Sequence, residues 1–184
     1  PTKNFRCEAR DSEEGAVRNL YGDDRAGTRN EAAEGISTVG TMFIGEYQHA
    51  MDTKGRLAVP VKFRARLSKG LVVTRGIDAC LSLYPKAEWE VLAKKLAALP
   101  TSQANTRAFA RLLLSGAMDV VPDKQGRILV PEYLRAYAGL GKEVVVAGLY
   151  NRLEIWDTAA WATYRKSTEA AAGDIAEKLG DLGV

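Results

Sequence analysis

The side chains best placed to do chemistry fall in two short segments. Asp52-Thr-Lys-Gly-Arg56 is followed by Pro60 and Arg64, and Asp123-Lys-Gln-Gly-Arg127 by Pro131 and Arg135. Each segment combines a turn-forming aspartate and glycine with guanidinium groups, which fork onto phosphate oxygens or onto the O6 and N7 of guanine. Catalytic chemistry has less to work with. A single histidine, His49, leaves little room for a zinc site or a Ser/His/Asp triad. Cys7 and Cys80 form no CxxC pair, which excludes a disulfide framework and a thiolate metal cluster and fits a reducing compartment. No HExxH, GxSxG or GxGxxG occurs, and Gly139-Leu-Gly141-Lys142 lacks the earlier glycine of a phosphate loop and carries Glu143 where a magnesium-binding Ser/Thr would stand. Asp52 and Asp123 are spaced to accept bonds from their own downstream backbone, so neither needs a catalytic partner. No enzyme, cofactor or metal site is expected.

One copy of such a turn would mean little, because Asp, Gly and exposed cations are ordinary turn residues. Two copies mean more. Asp52-Thr-Lys-Gly-Arg-Leu-Ala-Val-Pro60 matches Asp123-Lys-Gln-Gly-Arg-Ile-Leu-Val-Pro131 at an offset of 71, and Phe63 and Arg64 extend the register onto Leu134 and Arg135. After a one-residue slip, Val72, Val73, Gly76, Leu81 and Trp89 fall on Val144, Val145, Gly148, Leu153 and Trp161. The folded part is one unit made twice.

The elements that must hold the turns follow from the punctuation. Phe43 to Ala50 and Arg56 to Val59 read as strands around a turn in which glycine takes positive φ. Pro60 then opens a short helix over Val61 to Leu67. Leu71 to Thr74 and Cys80 to Tyr84, parted by a Gly76 turn, form a hairpin; Val144 to Ala147 and Leu153 to Trp156 repeat it. Trp89, Leu92, Leu96 and Leu99 make a helical stripe ended by Pro100, Phe109, Leu112 and Leu113 mark a second helix, and Trp161 with the alanine-rich tail marks a terminal one. Trp89 and Trp161 keep the apolar period of their helices, which favours core packing over base stacking, and His49 reads as a structural or surface residue. The fold class is α+β.

Composition sets the surroundings. The chain has 184 residues, 46% hydrophobic and 27% charged, with no apolar run approaching the ~18 residues a membrane span requires. The net charge of +3 is unevenly spread: residues 1–41 sum to −2 and lack periodic apolar patterning, whereas Asp52 to Arg75 alone sum to +6. Residues 1–41 are read as a disordered extension, not a secretory signal, or as sequence upstream of the true start. The first repeat is placed at 42–100, and the second, with its connecting and C-terminal helices, at 101–184. Folded together, the repeats should bring Lys54, Arg56, Arg64 and Lys124, Arg127, Arg135 to one pseudo-twofold surface, with Asp52, Gly55, Asp123 and Gly126 shaping the turns. Duplex DNA suits such a surface through counterion release and groove geometry. This reading hangs on Arg56 and Arg127 pointing together toward the duplex; internal ion pairs at both, or side chains aimed in opposite directions with no assembly able to align them, would end it.

The opening Met42-Phe-Ile-Gly45-Glu-Tyr47-Gln-His49-Ala-Met-Asp52-Thr-Lys-Gly-Arg56 and the paired DxxGRxxxPxx(F/L)R motifs resemble the MraZ family of bacterial transcriptional regulators over about Met42 to Lys178. That family is similar to AbrB-type swapped-hairpin proteins, with two units in each chain. The resemblance implies an intramolecular pseudo-dimer that binds double-stranded DNA at repeated boxes in its own promoter, acts as a repressor of its own division and cell-wall operon, and assembles as a homo-oligomeric ring in the cytoplasm on the nucleoid. Matched position by position, it assigns Asp52, Lys54, Arg56, Arg64, Asp123, Arg127 and Arg135 to the DNA face. Gln125 stands where the first unit has Lys54, and Lys124 lies one place earlier. Competing readings are a structural or protein-interaction module without DNA binding, and an enzyme acting on a phosphorylated metabolite.

Overall fold

The computed structural model describes residues 42–180, so Cys7 and the reading of residues 1–41 lie outside it. In chain order the elements are β1 (Phe43–Ala50), β2 (Arg56–Ala58), α1 (Val61–Leu67), β3 (Leu71–Arg75), β4 (Leu81–Pro85) and α2 (Lys86–Ala97), then the connecting helix α3 (Ala104–Leu114). They continue with β5 (Met118–Val120), β6 (Arg127–Leu129), α4 (Glu132–Tyr137), β7 (Glu143–Tyr150), β8 (Arg152–Asp157), α5 (Thr158–Ala170) and α6 (Ala172–Leu179). Proline sets three of the helix starts: Pro60, Pro85 and Pro131 occupy the N-cap positions of α1, α2 and α4. At the place of Pro85 the second repeat has Asp157, whose carboxylate caps α5 by accepting from the amides of Ala159 and Ala160.

The repeats exchange strands. A six-stranded antiparallel sheet runs β1-β7-β8-β4-β3-β5, so the first strand of each repeat pairs with the other repeat's hairpin. β2 and β6 form a separate two-stranded ribbon. A pseudo-twofold relation can be read from the registers. In the ribbon, Leu57 faces Ile128, its own repeat mate, with Arg56 opposite Leu129 and Ala58 opposite Arg127. In the sheet, Ser82 faces its mate Glu154 in the same way. The axis passes through both pairs.

One core serves both halves. Leu71, Val73, Leu81 and Leu83 of the first repeat and Val144, Val146, Leu153 and Ile155 of the second alternate onto the inner face of the sheet. Leu57, Val59, Phe63, Ile128, Val130 and Leu134 from the ribbon, α1 and α4 close over them. Phe63 is fully buried, with its ring edge-on to Phe43 at 5.1 Å and to Tyr47 at 5.5 Å. Helices α2, α3 and α5 cover the other face. Here Thr74, also fully buried, donates to the carbonyl of Leu113 at 2.6 Å and ties the end of α3 to β3.

Three expectations need correction, and one strand was not read from the sequence. Gly148, the mate of Gly76, lies within β7 and not in a turn, because β1 pairs along the whole strand and Gly45 faces Gly148. The sequence reading places no element at β5, whose three residues are too few to show alternation and which is fixed by its pairing with β3. The terminal helix is broken at Ala171 into α5 and α6. Trp89 and Trp161 pack half-buried on the outer face of the sheet, against Tyr84 at 5.8 Å and Trp156 at 5.3 Å, and not in the main core.

Candidate nucleic-acid interface

Each DxxGR segment folds into the same loop, stitched by its aspartate. In the first, the Asp52 amide donates to the Arg56 carbonyl and the Gly55 amide to the Asp52 carbonyl, both at 2.9 Å. Asp52 Oδ1 accepts from the amides of Lys54 and Arg56, again at 2.9 Å. In the second, Asp123 Oδ1 accepts from the amides of Gln125 and Arg127 at the same distance. Gly55 and Gly126 sit at φ of 75° and 74°, where a β-carbon would be strained. The turn-shaping roles read from the sequence for Asp52, Gly55, Asp123 and Gly126 thus correspond to specific bonds. The backbone amides of Arg56 and Arg127 are the main reason the carboxyls of Asp52 and Asp123 are held below the ordinary carboxylate range.

The same aspartates take the guanidinium groups. Arg56 Nε lies 2.6 Å from Asp52 Oδ2. Arg127 binds Asp123 Oδ2 through Nε at 2.9 Å and through Nη2 at 2.8 Å. The condition set on these two arginines therefore fails: both sit in internal ion pairs, and as free cations they no longer carry the DNA reading. A carboxylate four residues earlier in a tight turn is within reach of an arginine side chain, and a surface ion pair is the result. Both pairs stay about one-third exposed at the side chain, so the outward edges of the guanidinium groups still face solvent.

Arg64 and Arg135 look inward, toward the other repeat. Arg64 Nε donates to the Val59 carbonyl at 2.9 Å, and its side chain lies over Gly126 closely enough that a β-carbon there would overlap it. Arg135 Nε donates to the Val130 carbonyl at 3.1 Å, and a β-carbon on Gly55 would fall 2.9 Å from its Cζ. Lys54 and Lys124 differ from all four arginines: they stand exposed on the turns, and their ammonium groups have no partner among the described residues.

The two turns share a frame. They lie at opposite ends of the β2/β6 ribbon, where the Val59 amide donates to the Gly126 carbonyl and the Val130 amide to the Gly55 carbonyl, each at 2.9 Å. A local twofold between antiparallel strands stands normal to the ribbon. Equivalent positions therefore face the same side, Asp52 with Asp123 and Arg56 with Arg127, whereas Lys54 is matched by Gln125 and Lys124 by Thr53. A cleft of about 500 Å³ beside the first turn, lined by Asp52, Thr53, Arg135, Gly141 and Lys142 among others, adds a further lysine there. The sequence reading missed Lys142 as part of this surface because its proximity to Asp52 depends on the bond from the Met51 amide to the Lys142 carbonyl, made across repeats.

His49 is half-buried at the end of β1, and burial, with the charge of Arg64 as a second cause, lowers its pKa. Burial likewise pushes the Cys80 thiol up to about 12, which makes it unreactive. Among the described residues no group of His, Cys, Asp and Glu side chains could hold a metal ion, and no helix is long and apolar enough to cross a membrane.

A family model described as "MraZ protein, putative antitoxin-like" matches the chain twice, over residues 42–112 and 113–180. Proteins named "Transcriptional regulator MraZ" align with it along their whole length: that of Halothermothrix orenii is 50% identical, that of Syntrophomonas wolfei 44% and that of Clostridium acetobutylicum 48%, each over 143 residues, 78% of this chain and 100% of the relative.

Proposed function

The chain belongs to the MraZ family, and from that membership we propose that it is a DNA-binding transcriptional regulator. The single observation that supports the reading most is the pair of matched cationic turns at the two ends of one ribbon, related by a pseudo-twofold axis. A two-stranded ribbon with projecting turns is slim enough for the major groove, and duplex DNA offers phosphates on both sides of it. Lys54 and Lys124 meet phosphates as unpaired charges. Arg56 and Arg127, fixed by their aspartates, offer the remaining edges of their guanidinium groups to phosphates or base edges. Arg64 and Arg135 stand behind the turns. The protein does this without catalysis, in the cytoplasm and at the nucleoid.

The finer parts of the proposal are repression of its own division and cell-wall operon, recognition of repeated promoter boxes, and assembly into a ring. So few cations per protomer give weak binding to a single site, and a homo-oligomer engaging successive boxes gains affinity through avidity. Surface for assembly is present: α5 and α6 bury no residue, and α6 exposes Ile175 and Leu179 one turn apart. The repeat boundary belongs to the same proposal, with the first unit at 42–100 and the second at 101–184.

A mobility-shift assay tests the reading, using the DNA immediately upstream of this protein's own gene beside an unrelated duplex at two salt concentrations. Preference for the upstream DNA, weakening steeply with salt, is expected. Capture of a stoichiometric protein partner with no shift of either duplex would instead favour an interaction module.

A further inference from the structure

The bonds around Arg64 and Arg135 close a circuit between the repeats. Arg64, on α1 of the first repeat, donates to the carbonyl of Val59, whose own amide donates to the carbonyl of Gly126 in the second repeat's turn. The Arg64 side chain then lies directly on that glycine, which has no β-carbon to keep it away. Arg135, on α4, repeats the circuit through Val130 onto Gly55. Both links are needed for the effect: the strand bond fixes the height of the glycine, and the planar guanidinium fills the space above it.

We infer that Arg64 and Arg135 are crossed positioning residues, each setting how the opposite repeat's turn is presented, so that neither turn is complete without the other half of the chain. The inference rests on the reading that these turns meet DNA. It goes beyond that reading by giving the two helix arginines a role that does not require touching the duplex. An arginine in contact with phosphate acts through its charge, which lysine largely retains. An arginine acting through a glycine depends on a planar fork held by Nε, which lysine cannot supply.

The test uses the full chain and four variants, Arg64→Ala, Arg64→Lys, Arg135→Ala and Arg135→Lys, with two readouts. The first is amide hydrogen exchange at both turns without DNA. Loss of Arg64 should speed exchange at 124–127 and leave 53–56 nearly unchanged, and loss of Arg135 should do the reverse. The second is affinity for the duplex upstream of the protein's own gene, by fluorescence anisotropy across a salt series. Both lysine variants should lose about tenfold, the weight of one well-placed contact, with the slope of log K against log salt unchanged. A slope reduced by about 0.9 in the alanine variants, affinity restored by lysine and undisturbed exchange in the opposite turn would overturn the inference in favour of direct phosphate contact. Should an alanine variant fail to fold, its lysine counterpart supplies both readouts. Wild-type protein that ignores the duplex would overturn the functional reading alone, because the crossed exchange pattern is measured without DNA.

Discussion

Asp52 and Asp123 each organise a turn with one carboxylate, holding two backbone amides on Oδ1 and an arginine on Oδ2. Because the folded turns hold both carboxyls below their ordinary value of 3.8, the contribution is fully present above that value and is lost as the pH falls through the lower, folded values. Acid titration followed by the amide signals of Arg56 and Arg127 should show both turns opening below the ordinary carboxylate range, and Asp52→Asn should weaken the first turn at neutral pH. Turn signals that are indifferent to acid would contradict this. The aspartate and glycine roles were legible in the sequence because they are local, spanning five residues. The ion pairs of Arg56 and Arg127 are equally local, but a charge count cannot tell a paired arginine from an available one. The seats of Arg64 and Arg135 were not legible, since the glycine each covers lies in the other repeat.

At the scale of elements, most boundaries follow from proline and glycine, and the exceptions come from strand exchange. Gly148 reads as a turn residue when its hairpin is considered alone. Its place in β7 is dictated by β1, and a β-carbon there would fall 2.5 Å from the Ile44 amide nitrogen and 2.6 Å from the Phe43 carbonyl carbon. Gly148→Ala should therefore push β1 off the sheet edge at a cost of about 1–3 kcal/mol, read as a lower denaturant midpoint. Phe63 is the apolar anchor of α1, packed on two rings, and Phe63→Ala should cost about 3–5 kcal/mol in the same measurement. An unchanged midpoint in either variant would show that the β1 contact or the α1 anchor is not as described.

For the whole molecule, the duplication visible in the sequence was enough to foresee two related units, and the swapped pairing followed from family resemblance alone. A pattern of apolar residues specifies which face of a strand is buried but not which strand lies beside it. The exchange has a consequence for stability. With β1 paired to β7, β5 to β3, and the core drawn from both repeats, the segment 42–112 alone lacks half of its sheet and half of its core. Expressed alone, it should stay unfolded or pair with a second copy. A stable, well-folded monomer of that segment, seen by sedimentation and far-UV circular dichroism, would contradict the shared core.

The proposal that the matched turns together engage duplex DNA is met most directly by the salt dependence of binding in the Lys54→Ala/Lys124→Ala double variant. These two side chains carry no internal bond among the described residues, so their removal should leave the fold intact. Measured by anisotropy on the duplex upstream of the protein's own gene, the slope of log K against log salt should fall by about 1.8 relative to wild type, the release expected for two lost phosphate contacts. A slope and affinity equal to wild type in the folded double variant would mean that the turns do not meet the DNA backbone.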